Sequence, residues 1–316
     1  MRKDLLSISD LSVEEIQLIL RRAYDIRKKP WKYEDMLKGK TLVMIFEKPS
    51  TRTRVSFEVG MKQLGGSAIC LNWNDMQLSR GESIKDTART LERYADGIMA
   101  RVFRHSTLQE LAKHAKIPVI SGLSDLEHPC QALADIYTIW EKKKILKGLK
   151  FAYLGDGGGN VCHSLMLACT KLGMSMHVAC PKEYGPEKGV LKLAEENSRK
   201  FWSALKIAPS AKLAAANADV IYTDTWVSMG EEKERAIREK AFRPFLVNSE
   251  ILKHAKPDCI VMHCLPAHRG QEITDEVIDG PNSVVFDQAE NRLHVQKAIL
   301  SFLMGEPEKQ KFRLLE

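Results

Sequence analysis

Apolar residues along the chain recur with two alternating periods. After Ser12-Val13-Glu14-Glu15, the residues Ile16, Ile19, Leu20 and Ala23 repeat at helical spacing, and the serine–glutamate pair has the form of a capping box. A continuous apolar run at 41–46 reads as a buried strand and ends in the polar loop Glu47-Lys48-Pro49-Ser50. The alternation continues with a helix at 52–64, strand 67–71, loop 72–81, helix 83–94, strand 97–102, helix 106–115 and strand 117–120. A helix then starts near Pro129 and runs through Leu133, Ile136, Tyr137 and Trp140 to Lys142-Lys143-Lys144. A second series opens with the strand 149–154 and adds strands at 175–179, 219–223, 259–262 and 283–286, before a last helix at 288–304. Strands that alternate with helices predict parallel sheets covered by those helices. The expected fold is α/β, with two domains, each a parallel β-sheet flanked by helices, linked by interdomain helices. The expected boundaries are 1–140 and 141–287, with 288–316 packing back on the first domain.

In open parallel sheets, ligands gather at the carboxyl ends of the strands. The unusual polar clusters fall at the ends of predicted strands or just after them: 50–54, Arg101 ending 97–102, 156–160, 224–230 and 263–270. They are expected to converge on one cleft between the domains. Pro49-Ser50-Thr51-Arg52-Thr53-Arg54 stands at a strand-to-helix turn, where backbone amides, hydroxyls and guanidinium forks suit a phosphate. The bland alternative is a helix cap beside surface charge, but hydroxyls and arginines this dense favour the anion. In Ser124-Asp125-Leu126-Glu127-His128-Pro129-Cys130-Gln131, Pro129 fits the first turn of a helix, so His128 and Gln131 can face one bound group.

Composition narrows the class without naming it. The 316 residues are 44% hydrophobic and 28% charged, which suits a globular enzyme and neither disorder nor a membrane protein. No apolar run reaches the roughly 20 residues a bilayer span needs, and the N-terminus meets Glu14-Glu15 too soon for a signal-peptide core, so a cytoplasmic location is expected. A net charge of +7 suits an anionic partner, yet the basic residues interleave with acids, as in Glu231-Glu232-Lys233-Glu234-Arg235. Seven cysteines without Cys-x-x-Cys spacing point to small buried hydrophobes rather than a disulfide framework or a zinc ribbon.

Together, Ser50-Thr51-Arg52-Thr53-Arg54, Arg101 and His128-Pro129-Cys130-Gln131 resemble the carbamoyl-phosphate site of the carbamoyltransferase family. The resemblance runs from about Leu5 to Leu300 and includes Gly81-Glu82-Ser83-Ile84-Lys85-Asp86-Thr87-Ala88 and Asp287-Gln288-Ala289-Glu290-Asn291-Arg292. It implies that Ser50, Thr51, Arg52, Thr53 and Arg101 hold the phosphate, and that Arg101, His128 and Gln131 reach the carbamoyl end. It also implies a homotrimer, or a higher multiple of trimers, whose shared active sites each receive a residue matching Gln77 from the neighbouring subunit. In the second half, Asp224-Thr225-Trp226-Val227-Ser228-Met229-Gly230 and His263-Cys264-Leu265-Pro266 resemble the ornithine-type signatures. By that resemblance, Asn160, Ser228 and Met229 hold the amino acid's α-end, and Asp224 and Cys264 orient its side-chain amine. Arg292 lies near the carbamoyl carbonyl, and Cys264 and Leu265 also touch the carbamoyl phosphate. Gly159 stands where the family more often has a first of two asparagines, while Asn160 remains.

The implied reaction joins the carbamoyl group of carbamoyl phosphate to the side-chain amine of L-ornithine, giving L-citrulline and phosphate, with no cofactor and no metal. Putrescine and acetylornithine are the alternative acceptors. The segment 224–242 resembles a mobile lid, and its charge-dense part, 231–240, reads as a solvated segment. Three other classes fit less well. Gly155-Asp156-Gly157-Gly158-Gly159 imitates a dinucleotide fingerprint, but Val178-Ala179-Cys180-Pro181 stands where the ribose-binding acid belongs. The basic runs lack the aromatic partners of a nucleic-acid surface. His263, Cys264 and His268 lack structural-zinc spacing.

Overall fold

The computed structural model describes residues 3–227 and 232–306. The chain divides into two compact units: residues up to Tyr137 together with those from Glu290 onward, and Thr138–Ala289. The division falls within two long helices, Pro129–Lys143 and Val285–Met304.

The first unit is built on a parallel sheet of β1 (Thr41–Phe46), β2 (Ser67–Asn72), β3 (Gly97–Arg101) and β4 (Val119–Leu123), in the order β2-β1-β3-β4. β1, β3 and β4 are almost wholly buried, as their continuous apolar runs require. Val43, Ile45, Ile98, Ala100 and Val119 pack with Ala88, Leu108 and Leu111 of the covering helices. The helix Val13–Lys28 starts at the expected capping box: the Ser12 hydroxyl accepts the Glu15 amide at 3.2 Å, and the Glu15 carboxylate accepts the Ser12 amide at 2.8 Å. Its buried stripe is Ile16, Ile19, Leu20, Ala23 and Ile26.

The second unit carries β5 (Lys150–Leu154), β6 (Ser175–Ala179), β7 (Leu205–Ala208), β8 (Val220–Thr223) and β9 (Ile260–His263), parallel and in the order β7-β6-β5-β8-β9. Its core joins Ala152, Leu154, Ile221 and Val261 to the small faces of Ala211, Ala214, Ala215 and Ala218.

Two expectations are corrected. The segment 283–286 is not a strand: Ser283 makes a single bridge to Val261, and the helix Val285–Met304 begins within the segment. A four-residue apolar run does not distinguish a strand from the buried first turn of a helix. β7 was not expected, because this edge strand is half exposed and its Lys206 breaks the apolar run.

Candidate active site

In the first sheet, the chain leaves β1 towards β2 on one side and reaches β3 and β4 on the other, so the order reverses between β1 and β3. That reversal is where open parallel sheets place their ligands. β1 leads into the helix Thr51–Gln63, whose N-cap Ser50 accepts the Thr53 amide at 3.3 Å. Ser50, Thr51, Arg52 and Thr53 therefore occupy the positive end of a helix. Arg101 closes β3 and is in register with Phe46, the last residue of β1. The turn after β4 is held by Ser124, whose hydroxyl accepts the amides of Leu126 and Glu127, both at 3.3 Å. It delivers His128 and Gln131 to the first turn of the helix Pro129–Lys143.

Arg292, on the helix Val285–Met304, ties these pieces together. Its Nη2 donates to the Thr53 hydroxyl at 3.2 Å and its Nη1 to the Gln131 side-chain oxygen. The Gln131 amide nitrogen in turn donates to Asp135 at 2.8 Å, which fixes the amide's orientation. His128 is buried, and this burial holds its pKa well below the usual histidine value. The charges of Arg292, Arg101 and Arg52 push the same way, in that order. Four basic groups from four separate segments thus act on one spot, and the imidazole among them stays neutral.

Two residues of the sequence clusters stand apart. Arg54 is exposed and pairs with Glu58 at 3.6 Å along its own helix. Gln77 is exposed on the short 3-10 turn Gln77–Arg80.

In the second sheet the order reverses between β5 and β8. Asn160 follows β5 as the first residue of the helix Asn160–Lys171, Asp224 follows β8, and Cys264 follows β9. The Cys264 thiol donates to Asp224 Oδ1 at 3.0 Å, and the Thr225 amide donates to the same oxygen at 2.7 Å. Leu265 takes a φ of 57°, a left-handed conformation that non-glycine residues adopt only when their surroundings hold them there. Ser228 and Met229 lie outside the described residues.

The glycine run after β5 serves the protein's own packing. A Cβ on Gly157 would lie 2.8 Å from Cys180 Sγ and 2.9 Å from the Tyr184 carbonyl, and one on Gly158 would lie 3.2 Å from the Gly185 carbonyl. These glycines admit the 180–185 segment, so they need no pyrophosphate to explain them. The donor atoms of Asp224, His263 and Cys264 lie within 4.8 Å of one another. Both ring nitrogens of His263 are engaged, however: Nδ1 accepts the Leu265 amide at 2.8 Å and Nε2 faces Glu272 at 3.1 Å. The trio cannot offer three ligands to a metal while that turn holds.

Sequence reasoning missed Arg238. It lies in the run expected to be solvated, yet it is 4% exposed. Its Nε donates to the Trp226 carbonyl at 2.6 Å, its Nη2 donates to Asp156, and it stacks on Tyr184 with its Cζ 4.7 Å from the ring centroid. The available signal was Phe242, four residues on, which places Arg238 on the apolar face of an otherwise charged helix. Glu272 was also missed, since a lone glutamate beyond a motif carries no local mark.

Residues 3–141 match the family described as aspartate/ornithine carbamoyltransferase, carbamoyl-P binding domain, and residues 147–303 match its Asp/Orn binding domain. The ornithine carbamoyltransferase of Pyrococcus horikoshii is 58% identical over 305 residues, covering 96% of each chain. The anabolic ornithine carbamoyltransferase of Pyrococcus furiosus is 58% identical over the same length and the same shares. A solved structure of ornithine carbamoyltransferase from Pyrococcus furiosus superimposes with a TM-score of 0.92 at 57% identity, covering 97% of this chain and 98% of its own. The double α/β fold and these relatives define a carbamoyltransferase. The chain belongs to the aspartate/ornithine carbamoyltransferase family.

Proposed function

We propose that the protein transfers the carbamoyl group of carbamoyl phosphate to the side-chain amine of L-ornithine, releasing L-citrulline and phosphate. Within the family, the observation that carries the choice of acceptor is the Cys264–Asp224 hydrogen bond. A sulfur and a carboxylate held together present acceptors for the N–H groups of a side-chain amine, in place of the cationic groups a second carboxylate would need. The first unit is the carbamoyl-phosphate-binding domain and the second the ornithine-binding domain. Ser50, Thr51, Arg52, Thr53 and Arg101 hold the phosphate. Arg101, His128, Gln131 and Arg292 serve the carbamoyl end, together with Cys264 and Leu265. Asn160, with Ser228 and Met229, takes the α-amino and carboxylate groups of ornithine.

The free side-chain ammonium has a pKa of about 10.4, like lysine, so it must shed a proton before it attacks. That first proton is released to solvent. The neutral amine then forms the new C–N bond as the C–O bond to phosphate breaks. The phosphate leaves with the electron pair and takes up the second proton, which the nitrogen gives up on bonding to carbon. The equation balances without an oxidant, a cofactor or a metal. Negative charge grows on the carbonyl oxygen and the departing phosphate, where Arg52, Arg101 and Arg292 oppose it. One well-placed donor of this kind contributes roughly 3–4 kcal/mol. Orienting two substrates contributes up to about 7–11 kcal/mol. His128, kept neutral by burial and its cationic neighbours, supplies a hydrogen bond rather than a further charge.

The test is citrulline or phosphate formation from carbamoyl phosphate with ornithine, putrescine, acetylornithine and aspartate in parallel. Ornithine is the expected substrate by a wide margin, and equal turnover of putrescine would remove the roles of Asn160, Ser228 and Met229. The assembly is a homotrimer or a multiple of trimers, with Gln77 entering a neighbouring copy's site. The exposure of Gln77 supports this reading. The reaction belongs to arginine metabolism, in the biosynthetic direction named for the Pyrococcus furiosus relative. This reading includes a cytoplasmic location; no helix among the described residues is long and apolar enough to cross a membrane.

A further inference from the structure

We infer that His263 and Glu272 form a positioning pair that sets the backbone of Cys264 and Leu265 for the acceptor amine. The inference rests on the proposed role of Asp224 and Cys264. Both side chains of the pair are 0% exposed. His263 Nδ1 accepts the Leu265 amide at 2.8 Å, so the ring bonds to the chain two residues ahead and closes a loop around Cys264. An acceptor at Nδ1 places the ring proton on Nε2, which faces Glu272 Oε1 at 3.1 Å. The same carboxylate oxygen accepts the His268 amide at 2.6 Å. One carboxylate oxygen therefore secures both ends of the segment 263–268, and it selects the ring tautomer that leaves Nδ1 free to accept. The base of the loop is fixed as well, because the His263 amide donates to Gln288 at 3.0 Å.

The conformation held in this way is an unfavourable one. Leu265 has a φ of 57°, where a branched side chain crowds its own backbone. Without the Nδ1 acceptor, the Leu265 amide would lose its partner and the residue would relax towards negative φ. That relaxation would turn the Cys264 thiol away from Asp224, to which it now donates at 3.0 Å. Glu272 and His263 touch no substrate in this account; they act through Cys264.

Asparagine and glutamine at 263 separate the two halves of the ring. His263→Asn places an oxygen near the position of Nδ1 and keeps the acceptor for Leu265. His263→Gln reaches towards Glu272 and loses that acceptor. The measurements are KM for ornithine and kcat in steady state, with inorganic phosphate affinity by calorimetry reporting on the first unit. His263→Gln is expected to raise the ornithine KM on the order of tenfold or more, as lost outer-shell support does elsewhere. His263→Asn should recover most of that loss, and phosphate affinity should stay within about twofold of wild type in both variants. Glu272→Leu should follow His263→Gln and isosteric Glu272→Gln should remain near wild type, which keeps the test decisive if a 263 variant fails to fold. The inference is overturned if His263→Gln and Glu272→Leu keep the wild-type ornithine KM, if His263→Asn is no better than His263→Gln, or if phosphate affinity falls in step. A wild-type enzyme that makes no citrulline would sink the reading of the site instead, and leave the pair without a reaction to serve.

Discussion

Arg238 and Asp156 form a buried ion pair, with side-chain exposures of 4% and 10%. Asp156 uses its other oxygen, Oδ1, to accept the Gly158 amide at 2.9 Å, and so shapes the glycine turn that leads to Asn160. Arg238 also holds the Trp226 carbonyl, two residues after Asp224. One pair therefore fixes both arms of the acceptor half.

Removing one member of such a pair leaves an uncompensated buried charge, at a typical cost of about 3–5 kcal/mol. Arg238→Met is accordingly expected to lower unfolding free energy by that order in urea titrations and to raise the ornithine KM. The double variant Asp156→Asn/Arg238→Met should be more stable than the sum of the single losses. Strict additivity of the two would show that the pair is not energetically coupled.

The two arginines of the phosphate cluster are expected to behave oppositely. Arg52 acts on buried His128, whereas Arg54 is exposed and paired with Glu58 along the helix surface. Arg52→Ala should reduce kcat by a factor on the order of 10²–10³ and weaken inorganic phosphate binding, with an unchanged circular dichroism spectrum. Arg54→Ala should stay close to wild type, since surface pairs contribute only about 0–1 kcal/mol. Near-normal turnover by Arg52→Ala would dismantle the phosphate site.

Cys264→Ala deletes the thiol that donates to Asp224. Ornithine KM should rise much more than the dissociation constant of carbamoyl phosphate measured without ornithine. The thiols of Cys130 and Cys259 are both pushed up to about 12, chiefly by burial, so they provide inert controls. Cys259→Ala should leave both constants unchanged. A Cys264→Ala enzyme that lost affinity for both substrates equally would contradict the division of labour proposed for the two units.

Stability should fall in acid through histidines that stay neutral when folded. The pKa of His128 is driven well below 6.5 and that of His177 to about 4, in both cases chiefly by burial. The unfolded chain takes up these protons near pH 6.5 while the folded chain resists them, so the unfolded state binds more protons below that point. Stability is thus complete above about pH 6.5 and declines below it, for His128 by about 1.4 kcal/mol per pH unit. Melting temperatures at pH 7.5 and 5.5 provide the check. His128→Gln should show a smaller drop than wild type, and equal drops would remove His128 from the acid response.

The sequence alone determined the alternation of strands and helices, the capping box at Ser12, and which strand ends carry polar clusters. All of these depend on neighbours within a few residues, through hydrogen bonding and periodic burial. It also made the family legible, because Ser50–Arg54 and His128–Gln131 are local motifs. Only the tertiary structure decided the rest. It separated Arg52 from Arg54, moved the start of the last helix to Val285, and placed Arg292 between Thr53 and Gln131, 239 and 161 residues away. It also buried Arg238 within a run of charges that reads as solvated. The reason is physical: the energy of a buried charge or a strained turn is set by groups that folding brings from distant segments, and nothing in the local pattern records them.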